Sequence, residues 1–177
     1  MPVKTLPARI VLYPDPRLRK KCEPITVFDQ ALADLAQRML ELMHAGNGVG
    51  LAGPQVGVCR RIFVANPTGE PADDRVFVNP ELSDLMGSVE SEEGCLSIPD
   101  VHVQVRRARV CRIRACDVTG QPFLLEGEDL SARIWQHETD HLDGRLIIDR
   151  MNTADQFANK KALADLENRY RKRKAKG

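Results

Sequence analysis

The 177-residue sequence has no long hydrophobic run: its apolar stretches extend over only a few residues, whereas a membrane-spanning helix needs roughly 20. Residues 1–16 have neither the apolar core of a secretory leader nor the Arg/Ser-rich, acid-poor look of a transit peptide. The five cysteines are odd in number and irregularly spaced, which argues against a disulfide framework and for a reducing compartment. No internal repeat and no long low-complexity linker interrupts the chain. These absences exclude a membrane protein, a collagen, a disordered tail and a secreted mini-protein. They lead to the expectation of one cytoplasmic globular domain spanning residues 1–177, with no membrane partner. At this length a chain buries about two-thirds of its unfolded surface.

An excess of charge of either sign is also missing, since 26 Lys and Arg face 25 Asp and Glu. The balance conceals a pattern. Residues 160–177 hold eight basic side chains and two acidic ones, a net of +6, which leaves −5 on residues 1–159. A basic end on an acidic body can mark a polyanion-facing tail, and basic side chains also favour a helix C-terminus electrostatically. Glycine is concentrated too: five of the twelve fall between Gly46 and Gly57, in a stretch that reads as loop.

The hydrophobic spacing predicts three helices around a central group of strands, an α+β fold. Leu32, Leu35, Ala36, Met39, Leu42 and Met43 predict an N-terminal helix over 29–44 that stops at Gly46. Strands are expected at 61–65 and 76–78, separated by a turn-rich stretch. The alternating Val101, Val103 and Val105 are expected to pair with 110–116. Asp129 is expected to cap a helix over 130–143 with Gly144 just beyond it. A last, basic helix is expected from about 153, continuing into the tail that ends at 177.

The strongest chemical signal is His137-Glu138-Thr139-Asp140-His141. Residues four apart share one helix face, so two imidazoles can grip one ion with a carboxylate beside them. The buried face implied by Leu130, Ile134 and Leu142 argues against a merely solvated helix. A catalytic site of this kind needs a third protein ligand. Ile147 stands where a third downstream histidine would, and Asp165 and Glu167 lie on the basic last helix. Candidates upstream are His44, His102 and the cysteines. Among them Cys95 follows the permissive Gly94 in a turn closed by Pro99. Cys59, Cys111 and Cys116 lie in strand-like runs, and Cys22 reads as a surface thiol.

Three segments together carry a family resemblance: Gly48-Val49-Gly50-Leu51-Ala52-Gly53-Pro54-Gln55, Glu93-Gly94-Cys95-Leu96-Ser97 and Gln136-His137-Glu138-Thr139-Asp140-His141. In order and separation they resemble the signature motifs of peptide deformylases, and the likeness extends from Ile10 to the last helix. The fold this implies has mostly antiparallel strands around a central helix carrying the paired histidines, with an N-terminal and a C-terminal helix.

The resemblance implies Cys95, His137 and His141 as metal ligands and Glu138 as the catalytic acid/base. Gln55 and the Leu96 N–H become oxyanion donors, and Gly50 a contact for the substrate backbone. Val49, Leu130 and Ile134, with His137, would line a methionine pocket. The implied reaction removes the N-formyl group from the formyl-methionine of new polypeptides. Glu138 takes a proton from metal-activated water and returns it to the leaving amine. Two imidazoles and a thiolate suggest zinc by ligand type alone. The resemblance implies Fe2+ instead, with Zn2+, Ni2+ or Co2+ able to occupy the site. It also implies that the basic C-terminal helix can dock on the ribosome.

Two positions depart from the family pattern. Gly53 replaces the usual alanine, and His102 stands where many bacterial members have arginine near the substrate entrance. A different metallohydrolase, such as an aminopeptidase, is disfavoured by the Glu-Gly-Cys-Leu-Ser segment. A non-catalytic ribosome-binding module is disfavoured because Glu138 and the three ligand positions are all present.

Overall fold

The computed structural model describes residues 7–175. Residues 1–6 and 176–177, which belong to the expected domain and its basic tail, lie outside the described residues. Asp29 opens helix α1 (Gln30–Ala45) by accepting the Leu32 N–H at 3.0 Å, which satisfies one of the unpaired donors of the first turn. Leu32, Leu35, Ala36, Met39, Leu40 and Met43 form its buried stripe, spaced as one helical face requires.

Strands β1 (Gly50–Ala52), β2 (Ile62–Ala65) and β3 (Arg75–Met86) follow, then β4 (Val89–Glu93), β5 (Val103–Arg107), β6 (Val110–Cys116) and β7 (Pro122–Glu128). One sheet has the order β1-β2-β3-β6-β7, and β4 and β5 form a separate pair. Every named pairing is antiparallel. Helix α2 (Asp129–Leu142) and helix α3 (Thr153–Lys174) complete the chain. Among the described residues, no helix is long and apolar enough to cross a membrane.

β2 explains the layering. All four of its side chains are buried, because the sheet is covered on both faces. Ile62 and Val64 join the cluster around α1 with Leu35, Met39 and Met43. Phe63 and Ala65 join the opposite cluster with Phe77, Ile134, Trp135 and Leu142. There Phe63 and Phe77 stack with centroids 4.6 Å apart, and Trp135 of α2 lies 5.8 Å from Phe77. The helix bearing the paired histidines is thereby fixed against the sheet. A third cluster joins Val101, Val103 and Val105 to Leu146, Ile147 and Leu166 of α3.

Four expectations are corrected. The glycine-rich stretch is not all loop: Gly50 pairs with Ala65 and Ala52 with Phe63, so sheet pairing overrides glycine's poor strand preference. β5 pairs with β4, not with β6, which lies between β3 and β7. Asp129 is the first helical residue, at φ 48°, and not the cap. The β6–β7 ladder runs to Glu128, and the Asp129 N–H is then tied to the Arg109 carbonyl at 2.8 Å. Cys22 is buried, at 3% exposure, because its segment packs on the end of α2, where its N–H donates to the Leu142 carbonyl at 2.8 Å.

Candidate metal centre

His137 and His141 are one turn apart on α2, and their Nε2 atoms lie 3.2 Å apart. Cys95, in the turn after β4, brings Sγ to 3.4 Å from His141 Nε2. The three donor atoms all lie within 4.8 Å of one another. Three electron-rich atoms converging in this way repel one another unless a proton or a cation lies between them. Two imidazoles and a thiolate are a donor set suited to a divalent transition metal. Glu138 Oε2 is buried with no hydrogen-bond partner, a polar atom that the protein alone leaves unsatisfied. The residues present therefore fit a metal ion.

The other histidine and cysteine candidates lie elsewhere. His44 is paired with Asp74 at 2.8 Å, and His102 lines the mouth of the adjoining cavity. Asp165 is exposed, and Glu167 accepts a hydrogen bond from the Tyr13 hydroxyl at 3.0 Å.

Glu138 follows the first histidine and points toward β1. Its burial pushes its pKa up to about 7, against the opposing pull of His137 and Arg107. Gly50 makes room for it, since a Cβ there would overlap Glu138 Oε1. Gln55, only 1% exposed, lies in the short 3-10 turn Gly53–Val56. Its Oε1 accepts the Ala52 N–H at 2.8 Å, which turns its amide N–H groups toward Ser97 Oγ at 3.2 Å and Cys95 Sγ at 3.4 Å.

A cavity of about 400 Å3 opens onto these groups. Val49, Gly50, Gln55, Cys95, Leu96, Leu130, Ile134, His137 and Glu138 all line it. Val49 and Leu130 are 43% and 44% exposed, apolar walls open to an incoming ligand, whereas Ile134 also belongs to the core beneath. Leu96 packs against the glycine loop, where a Cβ on Gly48 would come within 2.6 Å of its Cδ1.

Sequence reasoning passed over the charges that hold the site. Glu93, 5% exposed, accepts two hydrogen bonds from Arg107 at 2.6 and 2.9 Å and faces His137 Nδ1 at 3.0 Å. Arg107 also reaches Asp140 of α2 at 2.9 Å, and Arg150 reaches the same carboxylate at 2.7 Å. Burial alone would raise the Glu93 pKa, but His137 and Arg107 outweigh it and hold it at about 2. An ionised Glu93 can only accept, so His137 donates through Nδ1 and presents the lone pair of Nε2. One signal was available. Arg107 occupies the inward phase of Val103-Gln104-Val105-Arg106-Arg107, where a charge requires a buried partner.

A helix with paired histidines and an intervening carboxylate, completed by a thiol from a neighbouring turn, defines a metallohydrolase-type site. Residues 7–157 match the polypeptide deformylase family. Peptide deformylase 1 of Clostridium perfringens is 47% identical over 135 residues, covering 76% of this chain and 91% of that protein. The chloroplastic/mitochondrial peptide deformylase 1B of Arabidopsis thaliana is 41% identical over 167 residues, covering 93% of this chain. The chain spans only 61% of that plant protein's length. A crystal structure of the Plasmodium falciparum peptide deformylase superposes with a TM-score of 0.89 at 35% identity, covering 92% of this chain and 97% of the other. The chain belongs to the polypeptide deformylase family.

Proposed function

We propose that this protein hydrolyses the N-formyl group of N-formylmethionyl nascent peptides, with Cys95, His137 and His141 holding one divalent metal ion. The observation that carries the reading is the convergence of these three donors beside buried Glu138, at the wall of an apolar-lined cavity. A divalent ion in this cradle supplies Lewis acidity, acidifying water and polarising a carbonyl oxygen.

The chain's own groups do the rest. Glu138, poised near neutrality, accepts the proton of the attacking water and returns it to the leaving amine. The Gln55 amide and the Leu96 N–H are the donors assigned to the developing oxyanion, fixed before charge appears. β1 and the glycine loop offer backbone to an extended peptide, with Gly50 at the contact. Val49, Leu130 and Ile134 receive the methionine side chain. Fe2+ is the physiological ion in this reading, and Zn2+, Ni2+ or Co2+ can replace it. The setting is the cytoplasm, in a single catalytic domain.

The experiment is Glu138→Ala, which retains the metal and loses turnover of a formyl-methionyl peptide by about 100-fold or more. A variant with near wild-type activity contradicts the role of Glu138. The basic end of α3 is assigned to ribosomal RNA phosphates. Pelleting with ribosomes then weakens steeply with salt and is lost on truncation after Asn168; salt-independent pelleting contradicts that assignment.

A further inference from the structure

Two cysteines outside the site lie abreast on neighbouring segments. Glu23 and Arg60 form a parallel bridge, in which the Glu23 N–H donates to the Cys59 carbonyl at 3.3 Å and the Arg61 N–H to the Glu23 carbonyl at 2.9 Å. One residue back along each segment stand Cys22 and Cys59. Residues in register on paired extended segments project from the same face, and such backbones run about 4.8 Å apart. That spacing is within the roughly 4.4–6.8 Å Cα separation a disulfide tolerates. The packing agrees, since Cys59 lies against the apolar cluster that contains Cys22, Ala132 and Leu142. Cys22 also senses its neighbour. Burial is the main reason the Cys22 pKa rises to about 12, and the nearby Cys59 adds to it. Access is unequal: Cys22 is buried, Cys59 is half-buried, and both are free thiols.

We propose that Cys22 and Cys59 are a modification site, a thiol pair that closes to a disulfide under hydrogen peroxide. The Cys59 thiolate attacks one peroxide oxygen, the O–O bond breaks, hydroxide leaves, and Cys59 becomes a sulfenic acid, oxidised by two electrons. The Cys22 sulfur then attacks the Cys59 sulfur. The S–S bond forms, the S–O bond breaks, and the departing hydroxide takes the Cys22 proton as water. Two thiols and one peroxide yield one disulfide and two waters. The order follows access, because peroxide reaches Cys59 before it reaches Cys22.

The link joins two supports of the metal centre. The Cys22 N–H holds the Leu142 carbonyl at 2.8 Å, one residue past His141. The Val58 N–H, one residue before Cys59, donates to the Gly53 carbonyl at 2.9 Å and closes the turn that carries Gln55. The disulfide therefore reinforces contacts already made, and the oxidised protein unfolds at a higher temperature than the reduced one.

The test uses zinc-loaded holoprotein, so that iron does not decompose the peroxide. After stoichiometric hydrogen peroxide, denaturation and thiol counting, the five free cysteines fall to three. Mass spectrometry finds a Cys22–Cys59 linked peptide that dithiothreitol reverses. Cys59→Ser, at the half-exposed position, abolishes that peptide and leaves Cys22 reduced. Cys22→Ser leaves a Cys59 sulfenic acid that dimedone captures. An unchanged thiol count in the wild type overturns the proposal, as does single oxidation of Cys59 with Cys22 free, or loss of Cys95 in place of the pair.

Discussion

Glu93 Oε2 lies 3.0 Å from His137 Nδ1 while Arg107 grips the same carboxylate with two hydrogen bonds. The ring orientation of one proposed ligand is thus set by a buried ion pair on the neighbouring two-stranded sheet. Carboxylates behind ligating histidines commonly contribute 10–100-fold in metal affinity. Glu93→Ala accordingly weakens metal binding by about 10–100-fold in a chelator competition. It also takes from buried Arg107 one of its two carboxylate partners, leaving Asp140 at 2.9 Å, and lowers stability in chemical denaturation by up to about 3 kcal/mol. An unchanged affinity would show that the ring is oriented by packing alone.

Gly50 and Glu138 compete for one space. Gly50→Ala forces the carboxylate aside while leaving the three metal donors in place. Formate release falls at least tenfold, and the metal content measured by atomic absorption stays at the wild-type value. Equal loss of metal and activity would mean that the glycine serves the cradle and not the carboxylate.

Gly127 of β7 permits Trp135 to approach the strand closely, since a Cβ there would come within 2.5 Å of Trp135 Cζ3. Gly127→Ala overpacks this contact and destabilises the fold by about 1–3 kcal/mol. Urea denaturation checks this, and tryptophan fluorescence reports the displaced indole, the only one in the chain.

Alkaline pH acts on the buried thiols. Burial raises Cys111 from 9.0 to about 11, and burial together with Cys59 raises Cys22 from 9.0 to about 12. A group whose pKa is raised by folding contributes stability that is fully present below its unfolded value and is lost as pH rises through the folded one. Stability therefore declines from about pH 9 upward, and Cys111→Ala flattens the slope of unfolding free energy against pH in that range. An identical slope in the variant would place the alkaline loss elsewhere.

How much of this could be read in advance depended on where the signal lay. α1 was legible because its stripe of Leu32, Leu35, Ala36, Met39 and Met43 has helical spacing and faces a single cluster. The convergence of three donors was legible in part: His137 and His141 stand at helical spacing, while Cys95 was singled out mainly by the family resemblance of its segment. β7 was not, because five of its seven side chains are exposed and nothing in Pro122–Glu128 alternates. β1 was hidden among glycines, and Gly50, the one glycine in it, takes its strand conformation from pairing with β2 and not from its own preference. Glu93, Arg107 and Asp140 come from three separate stretches of chain, and only the packing of β4, β5 and α2 brings their charges together.

The most direct measurement is formate release from an N-formyl-methionyl tripeptide by anaerobically purified protein of known metal content. The account predicts turnover that rises in proportion to occupancy, up to one ion per chain, with iron-loaded protein losing activity in air. Folded protein with a full complement of metal, fresh and anaerobic, that releases no formate would contradict it.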